Sequence, residues 1–299
     1  MKVGVTGASG MLGSALITHL SKSYRVFATS RVKGVEGNNI KWDCFDLTDI
    51  ILLNEWLKII QPDVIIHCAA IVNVDLCEDN VKLVSKLHIK TTEVMANYLD
   101  SNGGRLIYIS TDSIFDGKKQ SPYIESDSVS PLNVYAKTKL MGEQPVLSME
   151  NGLVLRTNII GWTHKGGTSF AEWILENLVD NAPLNLFYDV YFSPLHIDSL
   201  SSIIERIINN PISGLYHCAS RDSVSKYAFG KKMAEIFQLS DLNITRSSVD
   251  IMKYKARRPK NMALDVKKIS LALECDLPSA VDAIELMKYQ YDKNNNLLN

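Results

Sequence analysis

Along the first 160 residues, short β-branched apolar runs alternate with longer stretches of helical apolar spacing. Lys2 to Thr6, residues 24–29, Asn39 to Trp42, Pro62 to His67, Arg105 to Ile109 and Leu153 to Asn158 read as strands. Met11, Leu12, Ala15, Leu16 and Leu20 mark one face of a first helix. Further helices are expected from an Asp46-Leu47-Thr48-Asp49 cap to about Ile60, from Asp79 to Ser101, and from Ser130, with Pro131 at its first helical position. Strands and helices alternating across short turns predict an α/β fold, a Rossmann-type doubly wound parallel sheet.

Beyond residue 158 the pattern loosens: helix Ser169–Asp180, strand Leu184–Phe187, helix from about His196 to Asn209, strand Gly214–Cys218, helix 224–237. Pro278 then opens a last helix, with a tail expected to fray. The expected division is a dinucleotide-binding domain at 1–160, with 195–220 returning to it. A smaller substrate-binding lobe takes 161–194 and 221–299.

The turn after the first strand carries Gly7, Gly10 and Gly13 at three-residue spacing. Strand, glycine turn and helix in that order set amide donors and the positive end of a helix dipole at a strand end, where a diphosphate binds. At the second strand's end an NAD-selective site carries Asp or Glu, but here stand Thr29, Ser30 and Arg31. Hydroxyls and a guanidinium suit a 2′-phosphate, which favours NADP(H) over NAD(H); the alternative is that Arg31 is a solvated loop residue. Asp46 either accepts from the adenine amino group or simply caps a helix. The small Ala69 and Ala70 leave room for the cofactor to cross a strand end.

Composition narrows the field. A net charge of −1 gives no field for nucleic acid or a membrane surface, and no apolar run is long enough to span a bilayer. The chain as given starts directly in a strand, and its five cysteines are scattered without C-x-x-C spacing. The expectation is a cytoplasmic protein without disulfides, free to form a homodimer. His67-Cys68 and His217-Cys218 could pose as a metal site, but their strands should lie apart in the sheet, so no metal is expected.

Chemistry concentrates at Ser110-Thr111-Asp112, at a strand end, and at Tyr135 and Lys139, one helical turn apart. A lysine ammonium beside a tyrosine favours the phenolate and brings the phenol toward its working range. Tyr135 could then give a proton to a carbonyl oxygen positioned by Thr111, and Lys139 would also hold the cofactor ribose.

Thr6-Gly7-Ala8-Ser9-Gly10-Met11-Leu12-Gly13, Ala69-Ala70 with Val74-Asp75, and Ser110 through Gly117 together resemble the extended short-chain dehydrogenase/reductase superfamily. So do Pro122-Tyr123-Ile124-Glu125, Pro131 through Tyr135 with Lys139, Gly142-Glu143, and Arg258-Pro259-Lys260-Asn261 before Leu264-Asp265. Within it the chain looks most like the dTDP-4-dehydrorhamnose reductase family. The resemblance implies a catalytic set of Thr111, Tyr135 and Lys139 with Asp112. It implies cofactor contacts from Gly7, Ser9, Gly10, Met11, Leu12, Gly13, Ser30, Arg31, Asp46, Leu47, Ala69 and Ala70, and substrate contacts from Val74, Asn158 and Arg258. The implied reaction is hydride transfer from NADPH to the 4-keto group of a nucleotide-linked deoxysugar, as in dTDP-rhamnose and polysaccharide biosynthesis.

Three positions depart from the family pattern: His88 where members carry Asn, Ile159 where they carry Trp, and a loose match at Asp189 to Pro194. The basic cluster Lys253 to Lys260 is either a solvated face or, through Arg258, a contact for the substrate diphosphate. A dehydratase or epimerase on the same fold is the first rival. Dehydratases tend to follow the threonine with Asp-Glu, whereas Ser113 follows Asp112, and no cysteine of the GDP-fucose synthase kind stands near 113. The second rival is a non-catalytic regulator resembling the methionine adenosyltransferase regulatory subunit.

Overall fold

The computed structural model describes residues 1–163 and 169–296. Seven strands form one sheet: β1 (Lys2–Thr6), β2 (Arg25–Ser30), β3 (Ile40–Cys44), β4 (Val64–His67), β5 (Arg105–Thr111), β6 (Leu153–Thr157) and β7 (Gly214–His217). Their spatial order is β7-β6-β5-β4-β1-β2-β3, and every pairing is parallel. The chain leaves β3 at one edge and re-enters beside β1 as β4. That reversal opens a crevice at the carboxyl ends of β1 and β4, where ligands bind in such sheets.

Strand periodicity sorts the core into two layers. Val64 and Ile66 of β4, with Ile107 and Ile109 of β5, join a cluster with Leu16 and Leu20 of the first helix (Met11–Leu20) and Leu200 and Ile204 of the helix Ile197–Asn209. Ile65, Leu106 and Tyr108, pointing the other way, pack with Trp56 and Leu57 of the helix Ile50–Ile60 and Met95 and Leu99 of the helix Thr91–Ser101. A third cluster joins Ala171, Ile174 and Leu178 to Leu184, Leu186, Phe229, Met233, Ile284 and Met287. It lies against a two-stranded parallel pair, Leu184–Phe187 with Ile244–Ser247. Leu264, Val266, Ile269, Leu273 and Leu277 bury in the first of these clusters, so residues 264–277 also pack with the main sheet.

Several boundaries differ from the sequence reading. β5 continues through Ser110 and Thr111, so both belong to the strand. The helix expected from about Asp79 to Ser101 runs from Val81 to Ser101 with its turn Lys86–Lys90 wound as a π turn, and a separate short helix, Val74–Asp79, precedes it. The helix carrying Tyr135 is Val134–Leu147, capped by Asn133, whose side chain accepts the Ala136 amide at 2.9 Å. Ser130 instead donates its amide to the Ile114 carbonyl, which keeps that stretch extended. Asp49, not Asp46, caps Ile50–Ile60, and Ser279 rather than Pro278 caps the last helix, Ala280–Asn296, by accepting the Asp282 amide. Residues 297–299 of the tail expected to fray lie outside the described residues. His67 and His217 stand on strands separated by two others.

Candidate active site

The glycine turn sits directly on the end of β4. Gly7 has φ +66°, and a Cβ there would lie 2.7 Å from the Ala69 backbone. Gly10 begins the helix Met11–Leu20 with no side chain capping it, and Ser9 and Gly10 are exposed. The first-turn amides are therefore open toward the crevice, a fit for a diphosphate. Leu12 and Leu47 turn their side chains into the core, so only their backbone can face a cofactor. At the end of β2, Ser30 is buried and donates its hydroxyl to the Val32 carbonyl at 2.6 Å. Arg31 is the exposed cation there, with no side-chain partner among the described residues. Asp46 is exposed and accepts the Thr48 amide at 2.8 Å.

Across the crevice, β5 delivers Thr111 and Asp112, both buried. Thr111 donates to the Asp112 carboxylate at 3.2 Å, and Asn158 donates to its other oxygen at 2.6 Å. Burial outweighs these hydrogen bonds and pushes the Asp112 pKa up to about 6. Tyr135 is half-buried, and burial pushes its phenol up to about 12; a hydrogen bond with Thr111 pulls the other way. The expected depression of this phenol by Lys139 is absent. Lys139 instead donates its ammonium to the Ile109 carbonyl at 2.7 Å and lies over the Tyr108 ring at 4.0 Å. Desolvation brings the Lys139 pKa down to about 7, against the pull of Glu143.

Beneath these groups lies a buried polar floor that the sequence reading assigned no role. Glu143 accepts from Ser110 at 2.5 Å and takes the Arg156 guanidinium in a two-point pair at 3.0 and 2.7 Å. His67 is held between Thr6 at 2.6 Å and Thr91 at 3.5 Å, and burial drives its pKa well below the usual value. Gly142-Glu143 was legible as part of a motif, but its partner Arg156 lies on another strand, and no spacing rule points to it.

A cavity of about 940 Å³ opens beside this site, lined by residues around 116–122, 189–191 and 249–263 together with Leu132 and Ser223. Arg257 and Arg258 line it; Thr111, Tyr135 and Lys139 do not. Arg258 stacks over Tyr254 at 4.4 Å and pairs with Asp75 at 3.1 Å. The same carboxylate accepts the Ala256 amide at 2.9 Å, and Asn133 donates to the Arg257 carbonyl at 2.9 Å. These bonds fasten the basic loop over the start of the catalytic helix. Val74 opens the short helix that carries Asp75. Asn158 thus meets Asp112 directly, whereas Arg258 is held by Asp75, the chain neighbour of Val74.

The family model for the RmlD substrate binding domain matches residues 1–292. The probable low-salt glycan biosynthesis reductase of Haloferax volcanii is 28% identical over 294 residues, covering 95% of this chain and 96% of that protein. Methionine adenosyltransferase 2 subunit beta of Xenopus laevis is 32% identical over 274 residues, covering 89% and 80%. The crystal structure of dTDP-4-dehydrorhamnose reductase from Bacillus anthracis in complex with NADP superposes with a TM-score of 0.85 at 26% identity, covering 97% of this chain and 98% of that one.

Proposed function

The chain belongs to the RmlD substrate binding domain family, and from that premise we propose that it is an NADPH-dependent reductase of a nucleotide-linked 4-keto-6-deoxy sugar. The observation that carries this reading is the meeting of Thr111, Asp112 and Tyr135 across the crevice from an uncapped glycine turn. The turn from Gly7 to Gly13, with Ala69 and Ala70 beneath it, holds the dinucleotide diphosphate, and Arg31 takes the 2′-phosphate. When bound, the reduced nicotinamide supplies a hydride.

Tyr135 gives its proton to the sugar carbonyl oxygen. A phenol raised to about 12 stays protonated across the physiological range, which suits a donor. The Thr111 hydroxyl steers that oxygen, and Asp112, ionised above about pH 6, holds Thr111 and Asn158 in place. Lys139 reaches the cofactor ribose. Arg258 and Arg257, on the cavity wall, take the substrate diphosphate, and the lobe formed by 161–194 with most of 221–299 supplies the rest of the sugar-nucleotide site. Ser113 donates to Asp112 at 3.2 Å where a dehydratase would carry a glutamate, which favours simple reduction.

The test is NADPH oxidation with a panel of dTDP-, UDP- and GDP-linked 4-keto sugars, beside Tyr135→Phe. Turnover on at least one sugar, falling by about 10²–10⁴ in the variant, is the expected result. One observation favours a second reading: the 32% identity to a methionine adenosyltransferase subunit. Saturable NADPH binding with no turnover on any sugar would establish a non-catalytic, NADP-binding regulator instead.

A further inference from the structure

His88 occupies the position where the resemblance led to an asparagine, and it makes bonds that fix its role. It is fully buried within the π turn Lys86–Lys90. Its Nε2 accepts the Ile71 amide at 3.0 Å. A backbone amide only donates, so Nε2 is bare and Nδ1 carries the proton. Nδ1 then donates to the Thr138 hydroxyl at 2.9 Å. Thr138 in turn gives its own proton to the carbonyls of Val134 and Tyr135, at 2.9 and 3.0 Å. One neutral tautomer satisfies every atom, and burial with Lys139 nearby pushes the His88 pKa down to about 3.

The two partners of this ring belong to different halves of the site. Ile71 follows Ala69-Ala70 at the end of β4, the floor of the dinucleotide crevice. Thr138 lies between Tyr135 and Lys139 on the catalytic helix. The His88 ring also meets the Tyr135 ring edge-on, at 6.0 Å and 82°. The π turn brings its backbone against the same helix: a Cβ at Gly142 would lie 2.4 Å from the His88 carbonyl. Turns of this kind are frequent at functional sites, because the inserted residue re-aims a side chain.

We infer that His88 is a positioning residue that ties the dinucleotide floor to the proton donor, so that cofactor seating and Tyr135 placement are set by one ring. It touches none of the reacting atoms. This inference rests on the reductase reading for its kinetic arm and is independent of it in its spectroscopic arm.

The experiment compares His88→Leu, which loses both bonds, with His88→Gln, which keeps one acceptor and one donor. For His88→Leu we expect NADPH Kd to rise and kcat to fall about tenfold each, the size of one lost buried hydrogen bond. The sugar KM should stay within about twofold, since no sugar contact is removed. His88→Gln should recover both to within about threefold of the parent. A Leu variant indistinguishable from the parent, or a Gln variant as impaired as Leu, overturns the inference.

Ring ¹⁵N NMR of the parent protein needs no turnover and no variant. An Nδ1-protonated His88 unchanged from pH 5 to 8 supports the tie; a ring that titrates in that range overturns it. If no sugar is reduced, the reductase reading falls while the NMR result and the NADPH affinities still decide the role of His88.

Discussion

The Lys139 ammonium donates to the carbonyl of Ile109 at 2.7 Å, from inside the protein and directly below the crevice. Holding a charge there is costly, and desolvation lowers its pKa from 10.5 to about 7. A lowered lysine pKa means that the folded chain disfavours the proton. Its contribution to stability is therefore complete above pH 10.5 and is lost as the pH falls from 10.5 to 7. Lys139→Met should accordingly raise Tm at pH 6–7, with the gain shrinking toward pH 10, while turnover drops at least about a hundredfold. Thermal melts across that range, beside an NADPH oxidation assay, check both halves.

Asp112 titrates in the opposite sense. Burial raises its pKa from 3.8 to about 6, so the folded chain binds the proton more tightly than the unfolded one. The stability this confers is full below pH 3.8 and is lost by about pH 6, amounting to about 3 kcal/mol. Asp112→Asn should remove that slope from a plot of unfolding free energy against pH between 4 and 6. If the chain is the reductase proposed above, its turnover should fall below about pH 6, as the carboxylate bonded to Thr111 and Asn158 becomes protonated.

Arg31 is exposed at the end of β2 with no side-chain partner among the described residues, while the neighbouring Ser30 hydroxyl is already given to Val32. On the proposed reading, selectivity for a 2′-phosphate would then rest on one guanidinium. Arg31→Asp should weaken NADPH by about tenfold or more, the worth of one charge-assisted phosphate contact, and change NADH less. Fluorescence titration with both nucleotides measures this, and equal weakening of the two would remove the basis for preferring the phosphorylated cofactor.

Asp75 holds the 254–258 loop through Arg258 at 3.1 Å and the Ala256 amide at 2.9 Å. Asp75→Ala should let that loop drift and raise the sugar KM about tenfold. Cofactor affinity and kcat at saturation should stay within about twofold, because neither the glycine turn nor Tyr135 is touched. Steady-state kinetics with both substrates varied separates these effects.

The sheet was legible because its evidence is local. Val64-Ile65-Ile66 and Leu106 to Ile109 are apolar at every position because successive side chains enter opposite buried layers, and so short a run is readable from neighbouring residues alone. The glycine turn was readable for the same reason. The π turn at Lys86–Lys90 was not, because the apolar spacing from Val81 to Leu99 passes through it, and that turn carries His88 to Ile71 and Thr138. Ser130 looked like a cap in isolation but spends its amide on Ile114, leaving Asn133 to begin the helix. The protonation of Tyr135 went the other way from expectation because helical spacing gives proximity to Lys139 but says nothing of how deeply the phenol is buried.

The cavity walled by residues 116–122, 189–191 and 249–263 excludes the proton donor. Residues of that wall can therefore drift in sequence while Thr111, Tyr135 and Lys139 stay fixed. On the reductase reading proposed above, exchanging one of those segments should change which sugar is accepted and leave the proton donor in place. Grafting the equivalent segments from a relative is thus the natural route to a new specificity.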